Sequence, residues 1–421
     1  MAFGPLRCGR DHLVQCVTRM ACIRAGMGDG PGLKPDELGG NCRLPRALEG
    51  AEKGNGFRQA VLIEEDMRGE DEFQDELFTY GGLSERVPSG HPLRRIRVLA
   101  DDALRSLCGE FDALYARIGR PSIAPEHLLR ALLLQMLYSI RSERMLVEQL
   151  EYNLLFRWFV GLPLSQRSWS ATSFSKNRER LLLGEVAQQF FQAVVREAGR
   201  QRLLGDEQFT VDGTLIEAWA SEKSYRQKPG PPPGKGQGSG SGGEVIKADT
   251  HESVTDPDAR MYRKGLKTGW KLRHMAHAVS ESEHGLVVAT SVSTCSPKAE
   301  RLAAIAMVKR LKSRFRPHTI IADKGYHEQD FVLQMQQMGV AAHVPAYPAG
   351  VRKCWVDPAL YTRPEYAASQ RKRKWIERFF AWLKTTAGLA RTRHRGHRKL
   401  DWNISLAAAA YNLTRMARLL A

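Results

Sequence analysis

Apolar positions along the chain change period more than once. Leu93, Ile96, Leu99, Leu104 and Leu107 fall on approximate helical spacing. Leu128, Leu129, Leu132, Leu133, Met136 and Leu137 share one face of a helix that Pro125 suits as an opening residue. The pattern predicts a second helix over Glu143–Phe159, ended by Gly161-Leu162-Pro163. A third is predicted to open at Ser170 or Ser173, both suitable caps, and to run through Ala198.

After Gly205 the period shortens. Gln208–Val211 is β-rich and leads directly into Asp212-Gly213-Thr214. Further strands are predicted at Trp270–Val279 and Leu286–Ser291. A helix follows at Lys298–Arg314, then a strand at Thr319–Ala322 running into Asp323. A helix at Gln329–Met338 and a short strand at Ala341–Val344 come next, and helix returns from about Ser369. Strands alternating with helices predict an α/β domain. Residues 229–243, PGPPPGKGQGSGSGG, form a linker with no core-forming residue. The expected organisation is a helical N-terminal domain over 67–204 and a catalytic α/β domain over 205–421.

Residues 1–66 differ from the rest. They balance nine basic against nine acidic residues, hold eleven glycines and show no sustained period, so poor order is expected. Cys8, Cys16, Cys22 and Cys42 crowd there without CxxC spacing, which favours unpaired thiols over a zinc site.

Composition narrows the class. With 43% hydrophobic residues in 421, the chain is not wholly disordered. Its apolar stretches are too short to cross a bilayer and no secretory pattern opens it, so a cytoplasmic protein is expected. The net charge of +17 lies entirely beyond residue 66 and points to a polyanionic partner. Residues 371–399 carry eleven Lys/Arg against one carboxylate, Glu377. Trp375, Phe379, Phe380, Trp382 and Leu383 are interleaved with them, which predicts a packed helix with a basic outer face suited to phosphates. Trp375 and Trp382, seven apart, are expected in the core. The helix bearing Lys176, Arg178 and Arg180 suits either a helix-turn-helix-like DNA module or a bundle with a solvated basic face.

Three acidic residues stand out. Asp212 and Asp323 each follow a β-rich run, where α/β sheets build their sites. Glu377 is isolated in the most basic stretch and is either a site residue or an ion-pair partner. Three carboxylates suit a pair of Mg²⁺ ions acting on an in-line displacement at phosphorus. Arg373 and Lys384, at −4 and +7 from Glu377, lie near its helical face and are expected to contact DNA phosphates. Tyr262, Arg263 and Lys264 are further candidate DNA contacts. His274, His277, His284 and His327 form no metal-binding pattern.

At these positions the sequence resembles the bacterial insertion-sequence DDE transposases, in the superfamily of insertion sequences 4 and 5. The matching blocks are QFTVDGTLIEAWAS around Asp212, TDPDARMYRKG at 255–265, IIADKGYH around Asp323 and RKRKWIERFFAWLKTTAGLARTRHRG around Glu377. The helical stretch from RPSIAPEHLLRALLLQMLYSIRSERMLVEQL to TSFSKNRERL resembles the N-terminal domain of the same family. The resemblance implies an RNase-H-like catalytic domain with a mixed sheet, preceded by an all-helical DNA-binding domain. It implies Asp212, Asp323 and Glu377 as catalytic residues holding two Mg²⁺ or Mn²⁺ ions. Arg373, Glu377 and Lys384 fit the spacing of the family's glutamate signature, while its tyrosine position holds Gln370. The implied reaction is cleavage at terminal inverted repeats and joining to target DNA, by a homodimer or larger assembly. Competing expectations are a metal nuclease without strand transfer and a decayed DNA-binding protein. The resemblance starts at Met67, so residues 1–66 are expected to lie upstream of the working protein.

Overall fold

The computed structural model describes residues 82–114, 122–227, 251–263, 269–348, 350–351 and 353–421. The expectations for residues 1–66, the start at Met67, the 229–243 linker and Lys264 lie outside the described residues. All described residues fall within one compact unit, Tyr80–Ala421.

Helices come first: α1 (Leu83–Arg86), α2 (Pro92–Arg105), α3 (Cys108–Leu114), α4 (Pro125–Leu137), α5 (Glu143–Tyr152), α6 (Leu154–Val160), α7 (Ala171–Leu183) and α8 (Val186–Arg200). Helix α2 buries Leu93, Ile96, Leu99 and Leu104, the predicted stripe. Helix α4 opens on Pro125 and buries Leu128, Leu129, Leu132 and Leu133. Two predicted helices are each broken in two. The first breaks at Asn153, whose side chain accepts from the Phe156 amide and caps α6. The second starts at the Ser170 cap but stops at Gly184, and Glu185 takes a left-handed φ of 54°. A side chain at 184 would put Cβ only 2.5 Å from Leu114 Cδ2, so the break is shaped by packing against α3.

The sheet follows, from β1 (Gln208–Glu217), β4 (Arg260–Tyr262), β5 (Lys271–Glu281), β6 (Val287–Thr294), β7 (Thr319–Ile321) and β8 (Ala341–His343). A separate pair, β2 (Tyr225–Gln227) with β3 (His251–Ser253), stands apart from it. Helix α9 (Ala299–Leu311) connects β6 to β7, and α10 (Gln329–Gln337) connects β7 to β8. Strand β5 is antiparallel to β1 on one edge; on its other edge it pairs with β4 and β6. β7 is parallel to β1, and β8 to β7. An antiparallel β6-β5-β1 half continued by two parallel strands, with helices at both crossovers, is the RNase-H-like arrangement. The strand expected over Gln208–Val211 extends to Glu217, which places Asp212 inside a strand rather than just after one. Pairing with β5 continues to Glu217↔Arg273 and holds the longer strand together.

Three helices close the chain: α11 (Pro364–Lys372), α12 (Lys374–Thr385) and α13 (His397–Leu419). Helix α13 is buried on all sides through Leu406–Ala410, as expected of a helix inside a core. It packs against α2, α4 and α8 as well as β6, and one continuous apolar core includes residues of the early helices, the sheet and α13. Asn412, fully buried, accepts from Val287 N (2.9 Å) and donates to Val287 O (2.7 Å), pinning α13 to the first residue of β6. Among the described residues no helix is long and apolar enough to cross a membrane.

Candidate active site

The parallel register brings two of the predicted carboxylates together. Thr210 lies opposite Ile321, so Asp212 and Asp323, each two residues further on, emerge at the same level of neighbouring strands. β7 ends at Ile321, and Asp323 then caps a tight 3-10 turn by accepting from Gly325 N at 2.9 Å. That turn carries Tyr326 back into the core, 1% exposed, with its ring edge-on to Phe331. Asp212 accepts from the Gly213 amide at 2.8 Å.

The Tyr326 hydroxyl is buried with no hydrogen-bond partner. Its pKa is pushed well above 10, first by burial and then by the nearby carboxylates of Glu300, Asp212 and Asp323. Glu300 sits in the first turn of α9, against β1. An added Cβ at Gly213 would lie 2.9 Å from Glu300 Cγ, 3.1 Å from Glu300 Oε1 and 3.2 Å from His277 Nδ1. Glycine at 213 therefore lets both side chains approach the strand next to Asp212. His277 is 1% exposed; its Nε2 meets Ser293 Oγ at 2.8 Å, and its Nδ1 is buried without a partner. Tyr262 borders the same region, its pKa raised by burial and then by Glu300.

Burial holds the His277 pKa at about 4, below its ordinary 6.5. The unfolded chain therefore takes up this proton first as pH falls. The stability tied to neutral His277 is complete above pH 6.5 and is lost down to about pH 4. The loss is on the order of 3 kcal/mol by the conversion of pKa shifts to free energy. Urea midpoints measured at pH 7 and pH 4.5 are expected to fall less for His277→Gln than for the parent chain. Equal falls would show that His277 makes no such contribution.

Glu377 is placed differently. Helix α12 buries Ile376, Phe379, Phe380 and Leu383 and turns Glu377 outward, its side chain 50% exposed and paired with Arg373 at 3.0 Å. Among the described residues no three His, Cys, Asp or Glu side chains are gathered closely enough to hold one metal ion, and Asp212, Asp323 and Glu377 are not so gathered. Gln370, at the signature's tyrosine position, donates to His343 O at 2.9 Å and ties α11 to the end of β8. Lys384 is half-buried in the last turn of α12.

The other candidates divide by surroundings. Lys176 is exposed on α7, whereas Arg178, its side chain 14% exposed, is committed to Glu143 and Glu179. Arg263 stacks its guanidinium 4.9 Å from the Trp270 ring. His327 is structural: Nδ1 donates to Pro345 O and Nε2 accepts from Trp355 N, both at 3.0 Å. Trp382 packs edge-on against Tyr411, while Trp375 covers Gly285 and lies under Arg415 and Arg378. Within the TDPDARMYRKG block, Asp256 accepts from Gly396 N and Asp258 from His397 N, so both anchor the start of α13. Sequence reasoning did not single out Tyr326, Glu300 or Gly213. The step of three from Asp323 to Tyr326 was the available signal for the tyrosine; nothing in the local pattern marked Glu300.

Two family profiles match the chain. One, described as a transposase domain (DUF772), matches residues 82–180; the other, a transposase DDE domain, matches residues 243–413. Together they cover more than half of the sequence. The chain belongs to the insertion-sequence DDE transposases. The DDE match includes Asp323 and Glu377 and begins after Asp212. No curated protein sequence matches this transposase. Among solved structures, it is similar to a piggyBac transposase synaptic complex with hairpin DNA at 9% identity, covering 77% of this chain and 75% of that one, with a TM-score of 0.36. A Mos1 strand transfer complex is similar at 10% identity over 75% of this chain and 82% of that one, TM-score 0.18. A Mos1 mariner paired-end complex with Mn is similar at 12% identity over 79% and 87%, TM-score 0.17.

Proposed function

We propose that this transposase binds the terminal inverted repeats of its element, cleaves DNA at the ends and joins them to target DNA by metal-dependent phosphoryl transfer. The observation that carries the reading is the level placement of Asp212 and Asp323 on adjacent parallel strands, beside a buried hydroxyl without a partner. The donor set fits a divalent cation. Carboxylate oxygens are the hard ligands that Mg²⁺ and Mn²⁺ prefer, and Tyr326 Oη and His277 Nδ1 are buried polar atoms able to meet coordinated water. Asp212 and Asp323 would hold the metal, with Glu377 completing the set from α12. When bound, a pair of such ions supplies Lewis-acid activation of the attacking oxygen and stabilisation of the leaving one.

The chain's own groups do the positioning. The β1–β7 register fixes the two aspartates relative to each other, and the Gly213 and Gly325 amides orient one oxygen of each. Arg373 and Lys384 flank Glu377 on α12, where they can grip phosphates as DNA crosses the site. Arg263, and Lys176 on the helical side, extend the cationic surface along the duplex. Two DNA ends processed together call for at least a dimer.

The test incubates the protein with DNA carrying its native element ends, a target plasmid and Mg²⁺ or Mn²⁺. Joined end–target products are expected. Nicking without joining would leave only a nuclease, and binding without cutting would contradict the catalytic reading.

A further inference from the structure

Glu300 lies outside the three carboxylates of the family pattern, yet its surroundings tie it to the same pocket. The first turn of α9 is held on two sides. Ala299 is buried in a small cluster with Met275 and Cys295, which seats the turn against β5. Arg301 donates to Gly325 O at 3.1 Å, which ties it to the turn that carries Asp323 and Tyr326. Glu300 stands between these anchors, its Oε1 and the His277 Nδ1 both against Gly213, the residue after Asp212. A larger residue at 213 would displace one or the other.

Two buried polar atoms face this space without partners: Tyr326 Oη, on a side chain 1% exposed, and His277 Nδ1, also 1% exposed. Buried polar atoms are ordinarily satisfied, and two orphans beside three carboxylates mark a place for a ligand that brings hydrogen-bonding groups with it. Gathering carboxylates in a partly buried pocket is unfavourable through mutual repulsion, and a divalent cation reverses that sign. Mg²⁺ retains several waters when bound to few carboxylates, and those waters need polar partners in the wall. The torsions of a glutamate side chain give Glu300 the reach to turn onto an ion held by Asp212.

We propose that Glu300 is a further metal-ligating carboxylate of the Asp212–Asp323 site, with His277 Nδ1 and Tyr326 Oη holding the waters of the bound ion. The inference rests on the metal-dependent reading above and extends it to α9. The site then has ligands on β1, after β7 and at the start of α9, in addition to α12.

The experiment is a Mn²⁺ titration of the full chain without DNA, followed by electron paramagnetic resonance of the free ion. Glu300→Gln is expected to weaken Mn²⁺ binding by about tenfold or more, as loss of a carboxylate at a metal site does. Asp212→Asn serves as the reference for loss of a ligand. Wild-type affinity in Glu300→Gln, with binding lost in Asp212→Asn, overturns the role of Glu300 and leaves the two-aspartate site standing. Wild-type affinity in Asp212→Asn and Asp323→Asn overturns the site itself, and this inference with it. Should Glu300→Gln fail to fold, crystals of the parent chain soaked in Mn²⁺ decide the matter. An anomalous peak at ligand distance from the Glu300 carboxylate supports the proposal; a peak on the aspartates with Glu300 turned away overturns it.

Discussion

Asp212→Asn and Asp323→Asn are each expected to lower strand cleavage by about a thousandfold or more, the rate equivalent of losing several kcal/mol of charge stabilisation at a metal site. Both substitutions keep the side-chain shape. Asparagine Oδ1 can still accept from Gly213 N at position 212 and from Gly325 N at position 323, so strand and turn are preserved. What is lost is the negative charge that a cation requires. Binding to end DNA, which depends on the cationic surface, is expected to persist. Gel-shift and cleavage assays on the same preparations separate the two effects. Cleavage near the wild-type rate in either variant would remove that residue from the chemistry.

Asp256→Ala is expected to have the largest effect on stability. Asp256 is fully buried; its Oδ2 meets His274 Nε2 at 3.0 Å and its Oδ1 accepts from Gly396 N at 3.2 Å. Burial alone would raise its pKa, but hydrogen bonding to His274 and to the Gly396 amide holds it below the ordinary value, so the carboxylate is charged. Alanine would strand a buried imidazole nitrogen and the amide just before α13, the helix that joins the early helices to the sheet. Breaking a buried pair in this way costs about 3–5 kcal/mol, a large part of the roughly 5–15 kcal/mol typical of a folded domain. Thermal unfolding should show a fall in Tm of about 4 °C or more. Asp256→Asn, which keeps an acceptor, should lose less. Unchanged unfolding in the alanine variant would mean that the His274–Asp256 contact carries no net stability.

Local signals carried much of the fold. Pro125, the Ser170 cap and the stripe of Leu93, Ile96 and Leu99 set their helices through nearest-neighbour chemistry, which a sequence displays. The breaks at Asn153 and Gly184 were hidden in continuous apolar periods. One depends on a side chain turning back on its own backbone, the other on Leu114, seventy residues away. The length of β1 was hidden as well, because Gly213 and Thr214 are poor strand residues alone and are held by pairing with β5. Asp212 and Asp323 were visible as acids at the ends of β-rich runs. Glu300 was not, since only the fold returns α9 to β1. The pairing of Glu377 with Arg373 was open in the sequence as one of two alternatives, and their spacing of four on α12 accounts for the contact.

The central claim is that Asp212 and Asp323 share a divalent-cation site. Iron-directed backbone cleavage tests it most directly: Fe²⁺ is loaded in place of Mg²⁺, ascorbate and peroxide are added, and the fragments are mapped. The account predicts cuts clustered around residues 212–213 and 323–326, suppressed by excess Mg²⁺ and absent in Asp212→Asn. Cuts confined to other segments, or a pattern unchanged by Asp212→Asn, would contradict it.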